Sequence, residues 1–549
     1  MRSRHGVTAL LLAVILGVAV PTAAEPASAT FPASATSTAS ASIPSLASSG
    51  TNGPSSTDAF VSVLDGGTAL PPSRGTAGVG LLKVGQDSRA MDRRSLTDVP
   101  LPVATTPLDY YNVSGIPQRA LPVGERPYDN LPLERGIADS TGVRMFLIAG
   151  DPTQYNHPVG QASLAMAYLD HYRLTGSSTY LRRAMANAQR LVDRHVESRG
   201  GWYFPYDFDF AVHGDTSSTL VAPWYSGMAQ GMALSAFTRL YQATEDPAWK
   251  AAADATYASL DSAPVEGEPF GSWVSSTGDL WLELYPRWPV ETSERVLNGH
   301  IYAAFGVYDY AQLTGRADAI RLYDGALTTV GNYLISAFRT PRWASLYSLA
   351  HRLPTTTYHQ KVVRQMLDLQ HQTGSPIYAM WANTLRYDFP ERSSKGFAVI
   401  TPRTTVIYQL NAARKITRTR TVKFAKATGA PVDRRERVHG GTIMLHLSAG
   451  GYRGWWVAES FTKARIRGVV DVHTYDPALL ATFAPYTSYR AYEYDAQNLL
   501  VSTKTLTLPE AAEVPVTKSA IVDGKLAYYL PDGAFSGYWV AAQSGLTVQ

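Results

Sequence analysis

The sequence contains no cysteine in 549 residues. This absence excludes disulfide bonds, thiolate metal sites, thiol nucleophiles and lipid attachment to an N-terminal cysteine. The formal net charge is only +4, from 49 basic and 45 acidic residues, and no basic run stands out. Nucleic acid is therefore not an expected partner, and a folded domain of this chain must be held together by its core.

Several familiar sequence patterns are missing as well. The chain has no H-E-x-x-H, no P-loop, no G-x-G-x-x-G after a strand and no G-x-S-x-G. We therefore expect no metal, no organic cofactor and no nucleophilic serine. No apolar run of about 18 residues occurs, so we expect no transmembrane helix in the mature protein.

The start of the sequence is typical of a secretory signal peptide. Arg2 and Arg4 precede an apolar stretch from Leu10 to Val20, and an A-x-A cleavage site ends at Ala29. Residues 1–29 are therefore predicted to be a signal peptide. The mature protein is expected to be secreted, either extracellular or associated with the cell wall.

The next two segments do not have the pattern of a packed domain. Residues 30–60 are rich in Ser, Ala, Thr and Pro and are predicted to form a disordered linker. Residues 61–150 contain many Pro and Gly without a sustained hydrophobic period. We predict an irregular lead-in there.

Residues 151–390 have a helical pattern that repeats. Thr175, Thr244 and Thr314 each lie in a turn between two helical segments, and they are 69 and 70 residues apart. That spacing fits two helices with their loops. Repeated αα-hairpins stack into a solenoid or close into an (α/α) toroid, so the chain is predicted to be a multidomain α+β protein with an (α/α) barrel.

The last part of the chain has the pattern of strands. YQLNAARKITRTRTV from Tyr408 aligns with YEYDAQNLLVSTKTL from Tyr492, and GWWVAES is matched by GYWVAAQS. We predict two copies of one all-β module, at 400–470 and 471–549. The copies resemble the GYWV-ending repeats of secreted and wall-associated actinobacterial proteins, which implies attachment to a cell-wall glycan or targeting to a substrate.

Motifs in the helical region resemble the D-glucuronyl C5-epimerase C-terminal domain over about 150–375. They are WYSGMAQG from Trp224, LELYP from Leu282 with VLNG from Val296, and LYSLAHR from Leu346 with TYHQ from Thr357. The resemblance implies an (α/α) barrel that converts glucuronic to iduronic acid in heparan-type polysaccharides without a cofactor. The expected partner is a polysaccharide, and the oligomeric state is left open.

The chemistry of such a reaction suits tyrosines. Removal of H5 beside the sugar carboxylate gives an enediolate-like anion, and epimerisation needs an acid/base group on each face of the ring. The resemblance places Tyr285 and Tyr347 at catalytic positions, Tyr285 in the acid/base role and Tyr347 in an opposing or supporting role. It places Glu283 at an acidic position beside Tyr285 and Tyr358 at a further catalytic position. The 32 tyrosines and 11 tryptophans also fit sugar stacking, although an aromatic core would use them too.

The remaining candidate site residues are expected to hold the sugar. Alternatives are open for some of them: Glu283 could pair with Arg287, His359 could be a core histidine, and Asn298 could be a helix N-cap. Gly227 and Gly231 could serve close helix packing, but we favour contact with a ligand. The predicted binding residues are Trp224, Tyr225, Gln230, Tyr155, Gln161, Asn298, His351, His359 and Arg287.

Two positions depart from the family pattern. Leu284 stands where the animal enzymes have a second acid, and Ala350 stands in place of an arginine that would meet the substrate carboxylate. Arg287, Arg342 or Arg352 could replace it. A polysaccharide lyase that shares the same anion and an inactive glycan-binding protein therefore remain alternatives; a glycosidase is weaker because no second carboxylate pairs convincingly.

Overall fold

The computed structural model describes most of the chain after residue 106. The predicted signal peptide, the linker and the lead-in up to residue 106 lie outside the described residues. The described ranges are 107–108, 110–129, 131–133, 136–148, 151–391, 393–412, 414–438 and 441–549.

The helical domain contains four successive αα-hairpins within the described residues. Each hairpin is two antiparallel helices of 13 to 18 residues joined by a short turn. The helices are α1 Pro158–Thr175, α2 Ser178–Arg194, α3 Gly227–Thr244, α4 Pro247–Leu260, α5 Leu297–Thr314, α6 Ala317–Tyr333, α7 Thr356–Thr373 and α8 Pro376–Asp388.

One turn closes all four hairpins. A threonine hydroxyl donates to the carbonyl four residues earlier at 2.6 to 2.8 Å, and the next residue adopts a left-handed backbone that ends the helix. The fourth copy of this turn was not recognised in the sequence. The pairs are Thr175–Gly176, Thr244–Glu245, Thr314–Gly315 and Thr373–Gly374.

The odd-numbered helices form an inner layer and the even-numbered helices an outer one. Helices α1, α3, α5 and α7 contact one another in chain order, and each packs against its own even-numbered partner. Helices α3 and α5 are buried on almost every side, whereas α2 buries only one stripe. The predicted (α/α) toroid architecture is confirmed.

The glycines at the start of α3 serve close packing. A Cβ on Gly231 would lie 2.4 Å from the Cα of Ala303, and one on Gly306 would lie 1.9 Å from the carbonyl oxygen of Gly231. At Gly227 a Cβ would lie 2.3 Å from the carbonyl oxygen of Gly271. The expectation that Gly227 and Gly231 face a ligand is therefore wrong, because backbone occupies the space.

Long connections lead from each outer helix to the next inner helix. They span residues 195–226, 261–296 and 334–355, and the first two carry short antiparallel strand pairs. Since these connections end where inner helices begin, they meet at one end of the toroid. The short strands are β1 Met145–Phe146, β2 Tyr155–Asn156, β3 Val196–Ser198, β4 Gly201–Tyr203, β5 Phe210–Ala211, β6 Thr219–Leu220, β7 Ser272–Val274 and β8 Leu280–Leu282.

The described part of the lead-in packs on the helices although it has little regular structure. Tyr111 and Tyr128 are buried in the core of the helical domain. The backbone amides of Ser114 and Gly115 donate to the carboxylate of Asp324 on α6 at 3.0 and 2.8 Å. These contacts attach the lead-in to the toroid.

Two seven-stranded antiparallel sheets follow, and their strand orders are identical. The first is β11-β10-β14-β13-β12-β9-β15 and the second is β18-β17-β21-β20-β19-β16-β22. The two sheets share a register shift at the same place, between Gln409 and Leu410 and between Glu493 and Tyr494. The first sheet begins at Ser393, a little before the predicted start near residue 400.

The edges of the two sheets are also equivalent. Strands β11 and β18 form one edge, and the much shorter β15 and β22 form the other. The strands are β9 Ser393–Ile400, β10 Thr404–Leu410, β11 Ile416–Lys423, β12 Thr428–Arg437, β13 Ile443–Leu447, β14 Trp456–Ala458, β15 Ala464–Arg467, β16 Val469–Phe483, β17 Ser488–Tyr494, β18 Leu500–Thr507, β19 Ala512–Val522, β20 Lys525–Leu530, β21 Tyr538–Ala541 and β22 Leu546–Val548.

The second sheet contacts the last helix of the toroid through buried polar groups. Asn383 donates to the hydroxyl of Tyr475 at 2.8 Å, and Arg386 donates to the hydroxyl of Ser519 at 2.8 Å and to the carbonyl of Asp471 at 2.7 Å. Across the described ranges, none of the helices has the length and apolar character needed to cross a membrane.

Candidate functional site

Two buried tyrosines meet where the long connections converge. Tyr285 follows β8, Tyr347 lies in the connection before α7, and their hydroxyl oxygens are 3.3 Å apart. The two side chains, which we call the tyrosine pair, are only 1% and 2% exposed. Phe210 stacks on Tyr285 with ring centroids 5.7 Å apart.

A third tyrosine extends this pair. Tyr358, in the first turn of α7, has its ring centroid 4.7 Å from that of Tyr347. Burial raises the pKa of Tyr285, Tyr347 and Tyr358 well above the usual value of 10.0. All three are therefore neutral phenols near neutral pH, so each can donate a proton but becomes a base only if a nearby positive charge stabilises its anion.

Glu283 lies next to the tyrosine pair but faces backbone. Both of its carboxylate oxygens accept from the amide of Arg295 at 3.0 Å, and one accepts from the amide of Tyr285 at 3.3 Å. Burial raises the pKa of Glu283 from 4.5 to about 7. The side chain is 0% exposed, and its hydrogen bonds fix the loop of Tyr285 against the loop of Arg295. A catalytic role for Glu283 stays a prediction.

A second polar group lies beside Tyr347 and was not recognised as a group in the sequence. His213 Nε2 is 3.4 Å and His351 Nδ1 is 2.9 Å from the carboxylate oxygens of Glu294. The ring of His213 also meets that of Tyr347 edge to face, with centroids 5.4 Å apart. We call His213, Glu294 and His351 the His–Glu–His cluster.

Charge within this cluster favours an ionised glutamate. Burial opposes ionisation of Glu294, but hydrogen bonds from His213 and His351 and their positive charge outweigh it, so its pKa is lowered from 4.5. Arg287 adds a cation, with NH2 3.8 Å from a Glu294 oxygen and 2.6 Å from the carbonyl of Ser218. Arg287 therefore pairs with Glu294 and not with Glu283.

Sequence patterns could not have found most of this cluster. His213 and Glu294 are 81 residues apart, and Glu294 and His351 are 57 apart, so no local spacing connects them. His351 was expected to bind sugar from its motif, but His213 and Glu294 were missed. His213 has a positive φ of 57°, which is uncommon for a residue other than glycine and fixes the direction of its ring.

Three donors at the site have no hydrogen-bond partner in the described part of the chain. They are the Nε atoms of Arg287 and Arg295 and the amide nitrogen of Asn298, all buried. Asn298 lies inside α5 rather than at its N-cap, which is Val296. Since buried donors are rarely left unpaired, a water or a ligand is expected to satisfy each of them.

The aromatic residues predicted to stack on sugar lie in two environments. The indole of Trp224 is only 7% exposed, stacks on Tyr206 with centroids 3.8 Å apart and donates to the carbonyl of Phe208. Trp224 is therefore a packing residue, which corrects the expectation of a sugar platform. Tyr225 is half-buried, against Tyr203, and keeps an accessible face.

Three other predicted binding residues are used by the protein itself. Gln230 accepts from the amide of Phe204 and donates to the hydroxyl of Ser259 at 2.6 Å. Both ring nitrogens of His359 bond to protein groups, and burial lowers its pKa to about 4. Gln161 is buried and donates to Asn156. The prediction that these side chains hold sugar is wrong, because their hydrogen bonds are already made.

Tyr155 remains a peripheral candidate. It is half-buried in β2 and donates to Asp151 at 2.7 Å. Its ring reaches the tyrosine pair only through Phe208 and Trp224, with successive centroid distances of 5.3, 6.0 and 6.2 Å. A direct role at the reacting atoms is therefore not supported for Tyr155.

The two departures from the family pattern have clear surroundings. Leu284 packs against Gly299, where an added Cβ would lie 2.9 Å from that of Leu284. The backbone amide of Ala350 donates to the carbonyl of Glu294 at 3.3 Å. Among the arginines considered as replacements, Arg287 reaches the His–Glu–His cluster, with NH2 3.8 Å from a Glu294 oxygen.

Comparison with known proteins agrees with this site. Residues 196–386 match the D-glucuronyl C5-epimerase C-terminus family. The range contains the tyrosine pair, Tyr358 and the whole His–Glu–His cluster. The resemblance carried by the motifs is therefore confirmed over this range, which we call the epimerase-like domain.

Two relatives share parts of their sequences with this chain. A D-glucuronyl C5-epimerase of Caenorhabditis elegans is 33% identical over 129 residues, which is 23% of this chain and 19% of that protein. An uncharacterized protein of Methanocaldococcus jannaschii is 27% identical over 181 residues, 32% of this chain and 53% of that protein. The matches thus span about half or less of the relatives' own lengths.

Solved structures of low similarity were also found. A sugar epimerase from a ruminal bacterium has 12% sequence identity and a TM-score of 0.36, over 47% of this chain and 66% of that one. Because the TM-score is low, this likeness carries no argument about the fold. The (α/α) architecture is shown by the arrangement of helices α1 to α8. Together the family match and the C. elegans relative support an enzyme of the isomerase or epimerase type.

Proposed function

We propose that this protein is a carbohydrate epimerase that removes and returns H5 of uronic-acid residues within a polysaccharide. The observation that carries the proposal is the 3.3 Å contact between the hydroxyls of Tyr285 and Tyr347 inside the epimerase-like domain. An ionised member of such a pair can take H5, and the neutral member can share that proton or supply one to the carbanion.

The proposed mechanism places the tyrosine pair on one face of the sugar. Hydroxyls 3.3 Å apart cannot lie on both sides of a pyranose ring. The two tyrosines therefore act as one proton-transfer unit, with Tyr347 in the supporting and not the opposing role. Epimerisation also needs a proton-transfer group across the ring, from a different element.

The substrate carboxylate would be held by the unpaired donors of the site. Arg287 and Arg295 each keep a buried Nε without a partner in the described residues. Arg287 also belongs to the converging connections, next to Glu294. A guanidinium next to the sugar carboxylate would offset the second negative charge that develops when H5 leaves.

The direct test is isotope incorporation in heavy water. The full chain is incubated with a panel of uronic-acid polymers, and NMR follows deuterium at C5 and inversion at that carbon. Wild-type protein is expected to incorporate deuterium, and Tyr285→Phe and Tyr347→Phe are each expected to lose about 10²-fold or more in rate.

The matched control is Tyr323→Phe. Tyr323 is also fully buried, and its hydroxyl donates to Gln372 at 2.7 Å, but it lies on the outer helix α6. This variant should keep its C5 exchange rate. Exchange that survives both site variants, or no exchange and no cleavage with any polymer, would contradict the proposal.

A polysaccharide lyase is the second candidate, and the geometry of the tyrosine pair favours it. In a syn elimination one member of the pair, in its ionised form, would remove H5, and the neighbouring phenol on the same face would protonate the leaving O4. The same reactions distinguish the two: a lyase gives an unsaturated product that absorbs in the near ultraviolet, whereas an epimerase gives none.

A further inference from the structure

Three side chains with metal-ligating atoms converge from three different connections. His213 lies in the first long connection, Glu294 in the second and His351 in the third. One ligand atom of each lies within 4.8 Å of the other two. His213 and Glu294 are buried and His351 is partly exposed, with a side chain 27% accessible to solvent.

The distances fit a shared cation. Ligand atoms bound to one metal at about 2.1 Å lie roughly 3 to 3.5 Å apart. His213 Nε2 and Glu294 Oε2 are 3.4 Å apart, and His351 Nδ1 is 2.9 Å from the same carboxylate group. The rings of His213 and His351 have centroids 4.7 Å apart, and all three ligand atoms lie within 4.8 Å of one another.

The donor set and its surroundings indicate the class of metal. Two imidazoles and one carboxylate suit Zn²⁺, Mn²⁺, Fe²⁺ or Co²⁺, whereas Ca²⁺ and Mg²⁺ prefer oxygen ligands alone. The other nitrogen of His351 lies 3.3 Å from Ser218 Oγ and 3.9 Å from the Asp215 carboxylate. Such a partner on the second nitrogen is usual for a metal-bound histidine.

Arg287 is a positive group that could compete with a cation at Glu294. Its NH2 lies 3.8 Å from Glu294, beyond hydrogen-bond distance, and donates instead to the carbonyl of Ser218 at 2.6 Å. The guanidinium is therefore already bound elsewhere. A divalent cation would take the place of the protons that now link Glu294 to His213 and His351, and the site would then be ready to receive an anionic ligand.

We propose that His213, Glu294 and His351 bind one divalent transition-metal ion beside the tyrosine pair. The proposal goes beyond the proposed reaction, because metal binding is measured without any substrate. Three protein ligands leave at least one coordination position for another group. A sugar carboxylate could occupy it, and the cation would stabilise an ionised Tyr347, whose ring is 5.4 Å from that of His213.

The test is metal binding by the full chain after dialysis against a chelator. Titration with Zn²⁺ in a calorimeter, and with Co²⁺ followed by its visible absorption, should show one ion bound per chain. His351→Gln and Glu294→Gln should each weaken binding by about tenfold or more. His351 is partly exposed, so its variant is expected to fold, and circular dichroism checks both variants.

A second cluster of metal-ligating residues, which lies on the surface, provides the matched control. His371 Nδ1 is 3.3 Å from Asp476, and its Nε2 is 3.7 Å from Glu125, so these three residues also offer metal-ligating atoms. His371→Gln should bind Zn²⁺ as tightly as wild type. The proposal is overturned by a wild type that shows no saturable binding, by folded His351→Gln and Glu294→Gln variants that bind equally well, or by loss of binding in His371→Gln alone.

Discussion

Glu283 and Glu294 are 11 residues apart in one connection and are both almost fully buried, yet their surroundings are opposite. Glu283 accepts hydrogen bonds from the neutral amides of Tyr285 and Arg295, and burial raises its pKa to about 7. Glu294 lies among two histidines and Arg287, whose hydrogen bonds and charge outweigh burial and lower its pKa.

The difference teaches that the carboxylate of a recognised motif and the carboxylate with charged neighbours need not be the same. The LELYP motif drew attention to Glu283, but this carboxylate is enclosed by backbone and positions two loops. Glu294 lies outside the recognised motifs. Its neighbours are nevertheless two histidines, which can bind protons or metal ions, and Arg287, which can bind an anion. Neighbouring charge, more than depth of burial, distinguishes a reactive carboxylate from a structural one.

The largest expected effect is the loss of enzyme activity when Glu294 is made neutral. Glu294→Gln keeps the shape but removes the charge that holds His213 and His351. We expect kcat/KM for C5 exchange to fall by about 10²-fold or more, while Glu283→Gln stays within about tenfold of wild type. Steady-state kinetics on the best polymer checks this. Equal losses in the two variants would show that Glu283 and Glu294 do not differ in their importance for activity.

The next effect concerns stability and pH at Glu283. Because its pKa is raised from 4.5 to about 7, folding favours the protonated form, and this stabilisation is complete below pH 4.5 and lost as pH rises through 7. Glu283→Gln stays neutral and should be more stable than wild type at pH 8, by at most about 3 kcal/mol.

Urea unfolding at pH 5 and pH 8 measures this difference. Wild type should lose free energy of unfolding between the two pH values, and Glu283→Gln should lose less. A pH dependence that is the same in both proteins would mean that Glu283 titrates as an ordinary carboxylate.

A smaller loss of stability is expected when a substitution crowds only the backbone of Glu283. In Gly227→Ala the new Cβ would lie 2.8 and 2.9 Å from the backbone nitrogen and oxygen of Glu283. Overpacking of this kind should reduce the free energy of unfolding by about 1 to 3 kcal/mol. Metal binding at Glu294 should persist in the folded variant.

Gly331→Ala is the control for this substitution. Gly331 lies in α6, and a Cβ there would meet only the ring of Trp381 at 3.9 Å. This change should leave stability unaltered or raise it by up to about 1 kcal/mol. Thermal unfolding of the two variants side by side separates close packing from the general effect of glycine in helices.

The smallest effect is expected at Arg287. Its guanidinium is 20% exposed and 3.8 Å from Glu294, so the ion pair should contribute less than about 1 kcal/mol. Arg287→Lys keeps the charge and should change the melting temperature little, but should raise KM because the planar donor is lost. A large loss of stability would instead place Arg287 in the structural group with Glu283.

Much of the fold could be predicted from the sequence. The turn threonines Thr175, Thr244 and Thr314 carry a local pattern that defines each hairpin, and the fourth turn at Thr373 has the same chemistry. The β modules were predicted because strand and turn residues recur at a nearly constant offset. Such features are local, so hydrophobic period and turn chemistry determine them directly.

The site was predicted only in part, for a physical reason. Tyr285, Tyr347 and Tyr358 were named from motifs, and the structure brings them together. Gln230 and His359 were misjudged because a sequence does not show which hydrogen bonds are already satisfied inside a core. His213 was missed because its position depends on how three distant connections meet, which no local pattern records.

The two sheets have identical strand orders, but their edge strands β11 and β18 are not equally protected against aggregation. An unpaired edge strand can template pairing with another chain unless charge or shortness prevents it. Strand β11 carries Arg418, Arg420 and Lys423 along its exposed edge, whereas β18 carries one lysine and exposes Val501 at 58%. The second sheet is therefore the one more open to edge-to-edge association, and a further lysine in β18 is the natural way to protect it.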